Sequence, residues 1–226
     1  VLAPTRIIRG LGSALGMALV DAPGGTGDYR TALGAKADAA AAALAVWAEE
    51  REAGATPDPR PAFLLLHVKA VDDAGHDRDP ALKAAWLGAV DAMVGRLVGR
   101  LAGGGGGGGA AAAAGDCVLL AVTGDHSTPA AFGDHSIEPV PFAAAPVAAL
   151  ARALGGGAAL LERYGGAARL EPVGVPVGRP RPPPAFPPPP AFEEAAAAAG
   201  CLGRFPGREM MPLLARLAGA WGGVGV

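Results

Sequence analysis

The 226-residue chain balances 19 Lys and Arg against 21 Asp and Glu, and its net charge of −2 gives no basic surface for nucleic acid or for an anionic membrane. Apolar residues make up 51%, enough for the core of one large domain, although much of that share is alanine and aromatics reach only 5%. No uninterrupted apolar run approaches the ~18 residues of a membrane-spanning helix. Two cysteines, Cys117 and Cys201, do not make a disulfide framework. They fit a reducing compartment, which points to the cytoplasm with an organelle as the alternative. The chain opens on Val1 without a signal-peptide pattern, and so reads as a fragment, a processed chain or a partial gene model.

Thr5 is placed to cap a short helix through about Leu15, with Gly16 to end it. Met17 to Val20 reads as a short strand, and Pro23 to Asp28 as a turn-rich loop. Residues 32 to 53 are alanine-rich and charged, a helix in prospect, and residues 54 to 61 form a proline-marked loop. Phe63-Leu64-Leu65-Leu66-His67-Val68 is continuously apolar, as in a strand covered on both faces of a parallel sheet. Residues 70 to 79 read as a polar loop. Asp79 before Pro80 is an N-cap and first-turn signature. Leu82, Trp86, Val90, Met93, Leu97 and Leu101 then recur at three and four, one stripe of a helix.

Residues 103–115 are a low-complexity glycine and alanine loop. Cys117 to Val122 repeats the buried-strand pattern, with Cys117 as a buried thiol. Strand, helix, loop and strand make a βαβ unit, hence an α/β class with a mostly parallel sheet and helices on both faces. Ala143 to Tyr164 reads as helix, residues 173–192 as a proline-rich insertion, and Glu209 to Ala220 as a last helix.

Three of the four histidines lie beside aspartates in the segments that follow the two expected strands. Asp72-Asp73-Ala74-Gly75-His76-Asp77 follows the first; Thr123-Gly124-Asp125-His126-Ser127 and Asp134-His135-Ser136 follow the second. Sites in open parallel sheets form beyond the carboxyl ends of strands. Imidazole with carboxylate suits zinc or manganese, and two neighbouring metals can clamp both oxygens of an in-line displacement. Taken singly, such residues are turn formers and helix caps; Asp79 is one, and Asp73, Asp77 and Asp134 have the same plain reading. The joint placement favours a metal site.

These segments carry a resemblance. His67 to Asp77 resembles the metal motif of archaeal-type cofactor-independent phosphoglycerate mutases, members of the alkaline phosphatase superfamily. Thr123-Gly124-Asp125-His126-Ser127-Thr128-Pro129, with Asp134-His135-Ser136 and Pro139-Val140-Pro141, is similar to that family's second motif. The Pro23 to Gly27 turn with its following helix, and Gly203-Arg204 through Met211-Pro212-Leu213, agree in order. The resemblance implies a partial alkaline-phosphatase-like domain over residues 1–172 and 193–226, interrupted by the two low-complexity segments. It also implies two divalent metal ions, manganese first, with magnesium or zinc compatible. Asp72, His76 and His135 would hold one, and Asp125 and His126 the other. A nucleophilic serine and a further aspartate, which family members use, have no counterpart in these residues. The implied activity of the whole enzyme is the interconversion of 3-phosphoglycerate and 2-phosphoglycerate through a phosphoserine, with this chain alone inactive. Another two-metal phosphomutase or a phosphodiesterase is the first alternative, and a truncated non-catalytic homologue the second.

Lys69 is a possible phosphate contact or a plain strand-end lysine. His67 is expected as a hydrogen-bonded core histidine, and Ser127 and Ser136 as groups that orient the ligands. Arg9 and Arg204 are weak candidates for an anionic substrate. Gly24 to Gly27 reads as a turn rather than a phosphate cradle, and the proline run as a spacer rather than a docking peptide.

Overall fold

The computed structural model describes residues 1–54, 62–103, 118–165, 200–202 and 204–221. Cys117, most of the glycine and alanine loop, and the proline-rich insertion lie outside the described residues. Helices are α1 (Arg6–Ala14), α2 (Leu33–Glu52), α3 (Ala70–His76), α4 (Pro80–Leu101), α5 (Val147–Ala153), α6 (Gly157–Tyr164) and α7 (Met210–Trp221), the last entered through a 3-10 turn at Gly207–Glu209. Among the described residues the strands are β1 (Leu119–Thr123) and β2 (Phe142–Pro146).

The α4 helix is the spine. Its first turn is capped as expected, with the Leu82 amide donating to Asp79 Oδ1 at 2.8 Å. The apolar stripe then buries Leu82, Trp86, Met93, Leu97 and Leu101. Trp86 has no exposed surface, and Tyr29 stacks against it with ring centroids 6.0 Å apart. Against this stripe lies α2, whose Leu33, Ala37, Ala40 and Ala41 are buried. Alanine contributes little area per residue but lets the two helices approach closely. On the other side α6 seats Tyr164 over Gly95, where a β-carbon would lie 2.5 Å from the Tyr164 ring. Arg96, also buried, donates to both Asp38 oxygens at 2.9 and 2.6 Å and to the Gly165 carbonyl at 2.6 Å. It thereby ties α2, α4 and the end of α6 with charge-assisted bonds.

The sheet departs from expectation. Among the described residues it has two strands, β1 and β2, paired antiparallel from Leu119 opposite Pro146 to Thr123 opposite Phe142. The parallel βαβ unit is therefore not what joins β1 to its neighbour. The run Phe63 to Val68 forms one parallel bridge, Leu66 to Leu2, with Phe63 and Leu65 exposed. An apolar run becomes a strand only where another chain segment takes up its backbone groups. Met17 to Val20 likewise stays irregular, although Val20 donates to the Val1 carbonyl at 3.0 Å.

Two further segments changed type. Residues 143 to 146, expected as helix, are strand, because β1 engages their backbone, with Pro141 just before the strand and Pro146 as its last residue. Residues 70 to 76, expected as loop, are the helix α3. Its aspartates stand in the first turn and its histidine in the last, which suits the helix dipole, and Ala70, Ala74 and Gly75 are buried.

Candidate metal centre

Helix α3 sets the first half of the site. Asp72 and His76 are four residues apart, so they share one face of one turn. The second half comes from the long excursion between β1 and β2, which folds back on itself through a Ser127 to Ser136 bridge. Ser136 donates its amide to the Ser127 carbonyl at 3.0 Å, and Ser127 Oγ donates to the Glu138 carbonyl at 3.3 Å. That bridge brings His135 beside His126, ring centroids 3.7 Å apart. Gly75 lets the excursion lie directly on α3: a β-carbon there would stand 2.3 Å from the Thr128 carbonyl oxygen.

Four of the five expected side chains converge. His76 Nε2 is 3.1 Å from His135 Nε2, and Asp72 Oδ1 lies 3.4 Å from the first and 3.8 Å from the second. Asp72, His126 and His135 each offer a ligand atom within 4.8 Å of the others. Asp125 sits at the exposed outer edge, with Oδ2 3.5 Å from His126 Nε2. Two imidazole nitrogens facing each other at 3.1 Å must share a proton or a cation. Metal–nitrogen bonds of about 2.0–2.1 Å place neighbouring donor atoms roughly 3–3.5 Å apart; two of the three separations among Asp72, His76 and His135 fall in that range, the third is 3.8 Å, and the donor types suit a cation.

The surroundings tune Asp72. Burial pushes its carboxyl up, but the hydrogen bond from Thr128 Oγ1 at 2.6 Å and the bond and charge of Lys69 outweigh it and hold the group below the ordinary carboxylate range. Lys69 Nζ reaches Asp72 Oδ2 at 2.9 Å and Asp73 Oδ1 at 2.6 Å. Burial lowers the Lys69 ammonium, yet these two carboxylates raise it above its usual value. His76 Nδ1 is 3.2 Å from the Gly133 carbonyl, which as an acceptor requires the proton on Nδ1 and leaves Nε2 free for a ligand bond.

Other candidates fall elsewhere. The expected hydrogen bond of the His67 imidazole is not found among the described residues, where its buried Nδ1 has no partner, and burial lowers its pKa. Arg9 pairs with Asp21 at 2.8 Å, Asp77 accepts from Tyr29 at 2.7 Å, and Arg204 is exposed. Thr128 was not singled out from the sequence, although it touches both halves of the site. Its signal was present only as position, two residues after His126 in the second motif.

Residues 50–151, which include all five candidate ligands, match the profile of the Metalloenzyme superfamily. The chain is 33% identical over 138 residues to the 2,3-bisphosphoglycerate-independent phosphoglycerate mutase of Sulfurisphaera tokodaii, covering 61% of this chain and 27% of that protein. It is 31% identical over 142 residues to phosphoglycerate mutase 1 of the same kind from Methanothermobacter thermautotrophicus, covering 63% and 28%. Among solved structures it is similar to the PH0037 protein of Pyrococcus horikoshii, with a TM-score of 0.61 and 26% identity over 96% of this chain and 47% of that one. The matched stretch thus spans little more than a quarter of the curated relatives' length. That structural likeness fits an α/β alkaline-phosphatase-like fold. No helix among the described residues is long and apolar enough to cross a membrane.

Proposed function

We propose that this chain, which carries a Metalloenzyme superfamily domain, is the metal-holding part of a 2,3-bisphosphoglycerate-independent phosphoglycerate mutase. The observation that carries the reading is the convergence of Asp72 and His76 from α3 with His135 from the β1–β2 excursion. Asp72, His76 and His135 hold one divalent cation; Asp125 and His126 contribute to a second. The histidine-rich set favours manganese or zinc over magnesium, which prefers oxygen ligands. When bound, such ions neutralise charge on a transferring phosphoryl group and activate its acceptor oxygen.

The chain's own residues do the rest. Lys69 keeps Asp72 ionised and oriented. Gly133 fixes the His76 tautomer through its carbonyl. The exposed edge at Asp125 and His135 leaves the site open to a small phosphorylated substrate. The reaction proceeds through a phosphoserine whose serine lies outside these residues, so the 226-residue chain by itself is inactive as a mutase. Relatives named as mutases support this substrate over a phosphodiester or a pentose phosphate.

The test pairs calorimetry with a substrate panel. The chain is expected to bind one equivalent of Mn2+ tightly and a second weakly, and Asp72→Asn to abolish the tight one. A longer product of the same gene that includes a serine-bearing segment is expected to interconvert the two phosphoglycerates and to leave phosphodiesters untouched. Phosphodiester hydrolysis without mutase activity, or mutase turnover by the 226-residue chain alone, overturns the proposal.

A further inference from the structure

Thr128 stands where the two halves of the site meet. The residue is 3% exposed, and its Oγ1 is 2.6 Å from Asp72 Oδ1 and 3.2 Å from His126 Nδ1. A hydroxyl has a single proton to give. An ionised carboxylate can only accept, so at 2.6 Å the proton must point at Asp72; the reverse arrangement would set two oxygens against each other with nothing between them. The hydroxyl oxygen then has only lone pairs to offer His126, so His126 Nδ1 carries the proton and donates it. Nε2 is left bare, and Nε2 is the atom that faces Asp125 Oδ2 at 3.5 Å.

The backbone of the same residue is held as firmly. Lys83, on α4, donates to the Thr128 carbonyl, and Gly75 gives that carbonyl room against α3. The hydroxyl therefore has a fixed origin from which to aim.

We propose that Thr128 is a positioning residue that couples the two ligand sets: by donating to Asp72 it forces His126 into the Nδ1–H tautomer whose Nε2 is free to bind metal. The inference rests on the metal-centre reading above. It assigns Thr128 no contact with substrate. Loss of the hydroxyl should release one imidazole tautomer and one carboxylate orientation together, although the two ligands lie 54 residues apart in sequence (72 to 126).

Two variants test it on the full chain: Thr128→Val, nearly isosteric and able to keep the methyl packing against Gly75, and Thr128→Ser, which keeps the hydroxyl. Long-range 1H–15N correlation spectra of the metal-free protein, at a pH where the imidazoles are neutral, report the His126 tautomer directly. The wild type and Thr128→Ser are expected to show a protonated Nδ1, and Thr128→Val a mixture. In parallel, Mn2+ affinity by calorimetry is expected to fall about ten- to a hundredfold in Thr128→Val and to return in Thr128→Ser. A protonated Nε2 on His126 in the wild type overturns the proposal outright, even if Thr128→Val does not fold. An unchanged tautomer and unchanged Mn2+ affinity in Thr128→Val do the same. A wild type with protonated Nδ1 that binds no Mn2+ overturns the metal-centre reading, and the coupling with it, by a separate signal.

Discussion

Trp86 and Asp72 lie on neighbouring helices but are held in opposite ways. Trp86 is fully buried in an apolar cluster that includes residues of α2 and α4, with Tyr29 stacked on its ring, so the burial is shared over many small contacts. Around Asp72 each contact is one atom with one direction: Thr128 Oγ1, Lys69 Nζ, and the two imidazole nitrogens. The first arrangement stores stability; the second stores orientation. A region of the first kind should lose free energy when cut and keep its metal, whereas a region of the second kind should do the reverse.

The largest test of that contrast is Trp86→Ala. Removing a fully buried indole from the core cluster should cost about 3–5 kcal/mol of unfolding free energy. Urea denaturation measures it. Mn2+ affinity of the fraction still folded should change far less, because Tyr29, which stacks on Trp86, reaches α3 at Asp77 and not at a candidate ligand. A parallel collapse of metal affinity would show that the core and the site are one cooperative unit.

Lys36 probes the seam between the two regions. It stands on α2 with no exposed surface, and among the described residues its ammonium donates to the Thr26 and His67 carbonyls, at 3.4 and 3.2 Å. Burial lowers its pKa from 10.5 to about 8. The sign follows from proton counts. Between pH 8 and 10.5 the unfolded chain keeps a proton that the folded chain has lost, so stability rises with pH across that window, and the full burial cost applies below it. The span corresponds to about 2–4 kcal/mol. Urea titrations at pH 7 and pH 10.5 should show this rise in the wild type and not in Lys36→Met. Parallel behaviour of the two proteins would mean that the ammonium is solvated after all.

The same contrast decides what could be read in advance. The α4 stripe and its Asp79 cap were legible because both rest on local spacing, and the stripe indeed faces the core. Helix α3 was not, because Asp-Asp and Gly-His look like loop chemistry; burial of Ala70 and Ala74 against neighbours settles its conformation, and neighbours are not local. Strand β2 was missed for the related reason that an alanine run favours helix until an adjacent strand claims its backbone. The mostly parallel sheet inferred from two apolar runs is not found among the described residues, because pairing partners cannot be read from either run alone. In the site, Asp72, His76, Asp125, His126 and His135 stood out by residue type. Thr128 did not, since a hydroxyl acquires a role only through partners, one of them 56 residues away.

Gly75 gives the smallest expected loss of stability and the sharpest comparison, because it belongs to both regions at once. It is a buried residue of α3, yet its missing side chain is what admits the Thr128 carbonyl. A methyl added there would meet that oxygen at 2.3 Å, with the Thr128 side chain at 2.9 Å, and Thr128 is further anchored by Lys83. Neither backbone can yield freely, so Gly75→Ala should cost about 1–3 kcal/mol by overpacking. Alanine's better helix propensity offsets up to about 1 kcal/mol of this. The larger effect should be on the metal. Pushing Thr128 off α3 lengthens its 2.6 Å bond to Asp72 and separates the α3 ligand Asp72 from the loop ligand His135, so Mn2+ affinity should fall more than tenfold while the helical circular dichroism persists. An alanine variant with wild-type Mn2+ affinity and lowered stability would place Gly75 with Trp86, as packing alone, and would leave the seating of the loop on α3 to the Thr128–Asp72 and His76–Gly133 bonds.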